Sequence, residues 1–172
     1  MSSPDTALTG LREVRDADSA ALIELIGGCW AEYPGIVLAI DEEEPWLRHP
    51  ATYYARTGAT ARMWVVEDRE GLAACVGVKP LEGGGAAELK SLYVAARARR
   101  SGLGAALVDV VERHAVAYGA RTIRLWSDSR FAAAHRLYTR LGYQRSGQRH
   151  LHDLSDTTEY GYTKDLDRDG TS

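Results

Sequence analysis

Apolar and polar positions along this chain repeat in two periods, and the switches between them outline a succession of strands and helices. Leu11-Arg12-Glu13-Val14-Arg15 alternates and predicts a short first strand. Asp18 is placed to cap a helix whose apolar residues Leu22, Leu25, Ile26, Cys29 and Trp30 share one face, and Tyr33-Pro34-Gly35 ends it. A second helical region is expected from about residues 41–44 to Arg56, broken up by Pro45 and Pro50. Residues 63–66 predict a strand, Asp68-Arg69-Glu70-Gly71 a hairpin turn, and residues 72–78 the returning strand. After a flexible Gly83-Gly84-Gly85 loop, residues 87–94 form the next strand. Leu103, Leu107, Val111, Ala115 and Tyr118 then mark one face of a helix that Gly119 stops. Residues 122–126 predict a strand. Phe131, Ala134, Leu137, Tyr138 and Leu141 mark another helix, ended by Gly142, and residues 143–150 and 158–163 predict two closing strands. The order β-α-α-β-β-β-α-β-α-β-β implies a mixed sheet with helices on both faces.

Composition narrows the class. With 172 residues, 45% apolar and 26% charged, the chain can bury a core without disulfide staples. No repeat and no second domain is evident: residues 10–166 are expected to form one domain, between a disordered segment 1–9 and a flexible tail 167–172. The net charge of −3 argues against electrostatic binding of nucleic acid. The arginine-rich segment 97–100 is the local exception and suits a phosphate-facing patch. Cys29 and Cys75 sit in apolar runs without metal-ligand spacing, which predicts buried thiols. His150 and His152 fall at alternate strand positions without an evident third ligand, so no metal is expected. The first ten residues lack a signal-peptide core, and no apolar run reaches the roughly 18 residues of a membrane span. No membrane partner is therefore expected, and the cytoplasm is the default compartment.

Candidate chemistry centres on Arg99-Arg100-Ser101-Gly102-Leu103-Gly104-Ala105-Ala106-Leu107, at a strand–loop–helix junction. Glycines let the backbone approach a ligand closely, and bare N–H groups at a helix start bind phosphate oxygens. A nucleoside-triphosphate loop would need Gly-x-x-x-x-Gly-Lys-Ser/Thr, which is absent. A dinucleotide loop would need Gly or Ala where Leu107 stands. What remains is Arg-x-x-Gly-x-Gly-Ala. With Glu88-Leu89-Lys90-Ser91-Leu92-Tyr93-Val94 before it and Leu137-Tyr138-x-x-Leu141-Gly142-Tyr143 after it, the chain resembles the GNAT superfamily of acyl-CoA-dependent N-acetyltransferases over about residues 11–166.

That resemblance implies an α/β GNAT fold with a mixed, mostly antiparallel sheet, and acetyl-CoA as cosubstrate. It implies that Arg99, Arg100, Ser101, Gly102, Leu103, Gly104 and Ala105 surround the pyrophosphate. It further implies that the backbone of Leu92, Tyr93 and Val94 bonds the pantetheine arm like an added strand, while the next strand splays away. Tyr138 stands where the family places the general acid for the leaving thiolate. Glu88 stands where a carboxylate often takes the amine's proton, with Asp128 as rival. Glu42, Glu43 and Glu44 are candidates to attract a cationic amine. Family members often carry Asn seven residues before the catalytic Tyr, where it contacts the pantetheine arm. Here that residue is Phe131, so an apolar contact replaces the bond or Ser127 or Ser129 supplies it. Trp30 and Tyr33, with Trp46, Tyr53 and Tyr54, give the first helical region an aromatic character suited to an acceptor pocket. The expected reaction is transfer of acetyl to a primary amine of a small molecule or peptide by direct attack, since neither cysteine lies in the motifs. The alternative is a non-catalytic acyl-CoA-binding sensor. Homodimerisation through the closing strands is a further implication.

Overall fold

A computed structural model of the chain describes residues 8–166. Its elements follow the order that periodicity predicts: β1 (Leu11–Glu13), α1 (Ser19–Trp30), α2 (Pro50–Thr57), β2 (Arg62–Asp68), β3 (Gly71–Pro80), β4 (Ala86–Val94), α3 (Leu103–Ala117), β5 (Thr122–Asp128), α4 (Ala132–Arg140), β6 (Gln144–His150) and β7 (Thr158–Asp165). The strands form one sheet in the order β1-β2-β3-β4-β5-β7-β6. Every adjacent pair is antiparallel except β4 with β5.

The alternation within the strands divides the core between the two faces. On one face Val76, Val78 and Leu89 pack with Leu103, Leu107 and Val111 of α3. On the other, Met63, Val65 and Cys75 pack with Leu22 and Ile26 of α1 and Tyr54 of α2. Side chains such as Leu107 and Leu22 have no solvent exposure, and each contributes about 1.5–3 kcal/mol by leaving water.

Local readings were corrected where other contacts competed. Asp18 precedes α1 but makes no side-chain cap to it. Its carboxylate instead accepts from both terminal nitrogens of Arg12 at 2.8 Å and from the Arg15 amide at 2.7 Å, tying β1 to the turn that follows. The second helical region becomes a 3-10 turn, Pro45–Arg48, and then α2, each starting on a proline that needs no N–H partner. Tyr118 lies beyond the end of α3 and is 56% exposed, so it leaves the buried face. Leu8, expected in a disordered segment, packs against the core; residues 1–7 and 167–172 lie outside the described residues.

One irregularity shapes the site. The β3–β4 register slips between Cys75 and Gly77, so that Ser91 and Leu92 together oppose Val76. Ser91 adopts φ +53°, a left-handed conformation uncommon outside glycine. The extra residue resets the alternation: Ala87 and Leu89 before it, and Leu92 and Val94 after it, all face the α3 side. The Cys75 thiol donates to the Ser91 carbonyl at 3.2 Å and holds the bulge from β3.

Candidate active site

Beyond the bulge, β4 and β5 part. Their parallel pairing covers only Ala86–Thr122, Ala87–Ile123 and Glu88–Arg124. From there β4 stays with β3 as far as Val94, while β5 stays with β7 as far as Asp128. The resulting wedge opens into a cavity of about 530 Å³ walled by both strands, α4, the segment leading into α2 and the β6–β7 loop.

At the wedge's open end, α3 begins at Gly102, which has φ +79° and open space around a would-be Cβ. Glycine is needed there for backbone conformation. Gly104 has a different reason: a Cβ would come within 3.2 Å of the Leu137 side chain on α4, so its bareness serves the contact between α3 and α4. No side chain caps α3 and no acidic residue occupies its first turn. The first N–H groups of such a helix have no intrahelical acceptor and carry its positive dipole end, which fits a phosphate.

The arginines divide differently from the sequence expectation. Arg97 pairs with Asp68 and approaches Glu70 at the β2–β3 turn, so it leaves the loop patch. Arg99 forks onto Glu32 at 2.7 and 2.5 Å and donates to the Val94 carbonyl at 3.1 Å. The Ser101 hydroxyl donates to the Ala98 carbonyl. Arg100, at φ +61°, is exposed on the loop.

Tyr138 lines the cavity from α4 and is only 4% exposed. Its ring packs between those of Tyr143 and Tyr162, each with centroid 5.8 Å away. Its hydroxyl has no hydrogen-bond partner among the described residues, and burial pushes its pKa up, which keeps the phenol protonated at neutral pH. Glu88 lines the same cavity with a 16%-exposed side chain, and its nearest cation is Lys90 at 3.8 Å. Asp128 also lines it, but its Oδ1 already accepts the amide and Nε of Arg130 at 2.9 and 3.0 Å.

Trp30 lines the cavity and donates its indole N–H to the Tyr93 hydroxyl at 3.0 Å. Tyr33 is not on the wall; its ring packs on Phe131, which is, with centroids 4.9 Å apart. Trp46, Tyr53 and Tyr54 all reach the cavity. The acidic run splits: Glu43 and Glu44 line the cavity, whereas Glu42 is exposed and does not. Burial raises the Glu44 pKa, against a bond from the Trp46 indole and the charge of Lys90. Ser127 faces the cavity with its hydroxyl engaged by His135 at 3.1 Å. His150 pairs with Asp156 at 2.7 Å and its ring lies 4.9 Å from His152. Among the described residues no group of three His, Cys, Asp or Glu side chains could hold a metal, and no helix is long and apolar enough to cross a membrane.

Asp153 and Glu159, from the β6–β7 loop and β7, also reach the wall and were missed from sequence. No local pattern marks them, because they enter only when the last hairpin folds back over the segment preceding α2.

The fold and wedge define a class: a mixed sheet opened between two parallel strands beside an uncapped helix start. Comparison with known proteins then names it. The model of the acetyltransferase (GNAT) family matches residues 24–143. Probable N-acetyltransferase 14 of Xenopus tropicalis is 30% identical over 142 residues, which is 82% of this chain and 66% of that protein; the chain thus spans just under two thirds of that relative's length. An acetyltransferase of the GNAT family from Staphylococcus aureus Mu50 superposes with a TM-score of 0.77 at 18% identity, covering 91% of this chain and 98% of that one. The yncA protein of Salmonella typhimurium, solved with its cofactor acetyl-CoA, superposes with a TM-score of 0.67 at 18% identity, covering 94% and 96%. The chain belongs to the GNAT acetyltransferase family.

Proposed function

We propose that this chain transfers an acetyl group from acetyl-CoA to a primary amine of a small molecule or peptide, by direct attack. One observation carries the reading: the β4–β5 wedge joins an uncapped helix start to a cavity whose wall holds a buried tyrosine, its hydroxyl without a partner among the described residues. Acetyl-CoA supplies an acyl carbon activated as a thioester. The amides of residues 102–105 and the α3 dipole bind its diphosphate, with Arg100 as an added cation. The freed edge of β4, at Leu92, Tyr93 and Val94, offers backbone groups to an extended arm, as an edge strand does to an incoming peptide. Phe131 takes the position where family members often carry Asn and contributes an apolar wall.

The amine must lose a proton before its lone pair can attack. Glu88 accepts that proton, directly or through one water, because its carboxylate is less committed than that of Asp128. The new C–N bond forms as the C–S bond breaks, and Tyr138 donates its proton to the departing sulfur. The apolar surroundings that raise the tyrosine's pKa also disfavour a naked thiolate, so donor and acceptor remain matched. Holding the amine beside the acyl carbon supplies much of the acceleration.

The test is a panel of primary amines with acetyl-CoA, read by release of free thiol and by the mass of the acetylated product. Amine-dependent thiol release at one equivalent per product is expected. Calorimetry that detects no binding of acetyl-CoA, or thiol release without an acetylated amine, overturns the assignment.

A further inference from the structure

Three carboxylates on the cavity wall have no cationic partner among the described residues. Glu43 accepts the Leu154 amide at 2.7 Å, Glu44 accepts the Trp46 indole at 2.5 Å, and Asp153 accepts the Thr157 amide at 2.8 Å. These donors are neutral, so the charges remain. The three are close enough that Glu43 and Asp153 each raise the Glu44 pKa, on top of the larger effect of burial. Of the two cations on the wall among the described residues, Lys90 lowers it but is shared with Glu88, and Arg149 is bonded to Glu159 at 2.6 Å. The cluster is built by two segments far apart in sequence. The Val37 amide donates to the Ser155 hydroxyl at 2.8 Å, and Glu43 bonds Leu154, clasping the segment before Pro45 to the β6–β7 loop.

A reacting amine cannot be what this charge serves. It must shed its proton before attack, and carboxylates that stabilise the ammonium oppose that loss and bind the ground state better than the transition state. Its own partners are already present in the same cavity: Glu88, and the 4%-exposed side chain of Tyr138, which lines the wall with a hydroxyl that has no partner among the described residues. The remaining three charges suit a positive group that keeps its charge throughout the reaction, bordered by the rings of Trp46 and Tyr53, whose faces attract cations.

We infer that the acceptor is a dicationic amine: one nitrogen is acetylated between Glu88 and Tyr138, and a second nitrogen, which keeps its proton throughout the reaction, is held by Glu43, Glu44 and Asp153. This rests on the acetyl-transfer reading proposed above.

The experiment compares tetramethylene-, pentamethylene- and hexamethylenediamine with the aminoalcohols of matching length, by thiol release and, independently, by calorimetric binding to the full chain. A hydroxyl replaces the second ammonium at nearly constant size. At least one diamine is expected to exceed its aminoalcohol in kcat/KM by about 10- to 100-fold, the range for a charged hydrogen bond. Glu43→Gln, Glu44→Gln and Asp153→Asn keep an amide oxygen for the neutral donors, so the loops stay clasped. Each is expected to shrink that preference by about tenfold, whereas Glu42→Gln, outside the cavity, preserves it. A preference near one at every length, or a preference that all three variants leave intact, overturns the inference. If no amine releases thiol, the acetyl-transfer reading fails, and calorimetry still decides the second claim: diamine binding weakened by the three variants upholds the cation site, and absent or unaltered binding refutes it.

Discussion

Gly77 predicts a large effect from a single methyl group. It lies in β3, under the bulge of β4, and a Cβ there would fall 2.1 Å from the Tyr54 hydroxyl oxygen, 2.6 Å from Cζ and 2.9 Å from Cε1. Ordinary contact needs about 3.5–4.0 Å, so the ring must retreat by about 1.4 Å. Little room exists for that. Tyr54 is 3% exposed, with Tyr53 and Trp46 centroids 5.3 and 6.1 Å away. Gly77→Ala therefore overpacks a full site and is expected to cost about 1–3 kcal/mol. For a chain of this size, that lowers Tm by about 3–10 °C. A thermal melt by circular dichroism measures it, and a double-mutant cycle assigns the cause. In a Tyr54→Leu background the obstructing ring is gone, so the same glycine substitution is expected to cost less than about 0.5 kcal/mol. A Gly77→Ala protein as stable as the parent, or one whose loss persists without the ring, refutes the reasoning.

Tyr138→Phe removes a hydroxyl with no partner among the described residues, so its Tm is expected to stay close to that of the parent, while kcat falls by about 100-fold or more. Retained turnover would remove Tyr138 from the chemistry, whereas acetyl-CoA binding without turnover in the parent would favour a sensor. Asp18→Asn tests the carboxylate that ties β1 to the following turn. The bond from Arg12 holds the Asp18 pKa below its ordinary value, against the opposing effect of burial. A depressed folded-state pKa stabilises fully above the unfolded value of about 3.9 and fades as pH falls through the folded one. The variant is expected to be about 1–2 kcal/mol less stable at pH 7, with the gap closing below about pH 4 in urea titrations. A gap that persists at low pH contradicts the ionic account.

The order of strands and helices was legible from periodicity because most of them bury one face, and that need is written locally; β6 is exposed along its whole length. Leu103, Leu107, Val111 and Ala115 announce α3, and Gly102 announces the turn before it. The glycine loop was also legible, although the bareness of Gly104 turned out to serve Leu137 on another helix. Asp18 misled because a cap and the Arg12 guanidinium, six residues earlier, compete for one carboxylate, and the turn after β1 brings the two within 2.8 Å.

What the linear chain determined by itself is the inventory and its order: which segments form strands, which helices bury a face, where a glycine turn opens a helix. The tertiary structure alone decided the bulge at Ser91 and Leu92, the parting of β4 from β5, and the meeting of Glu43 and Glu44 with Asp153. Patterns of period two or 3.6 record only neighbours along the backbone. A register slip between strands, or a clasp between segments more than a hundred residues apart, is settled by packing that no single segment contains.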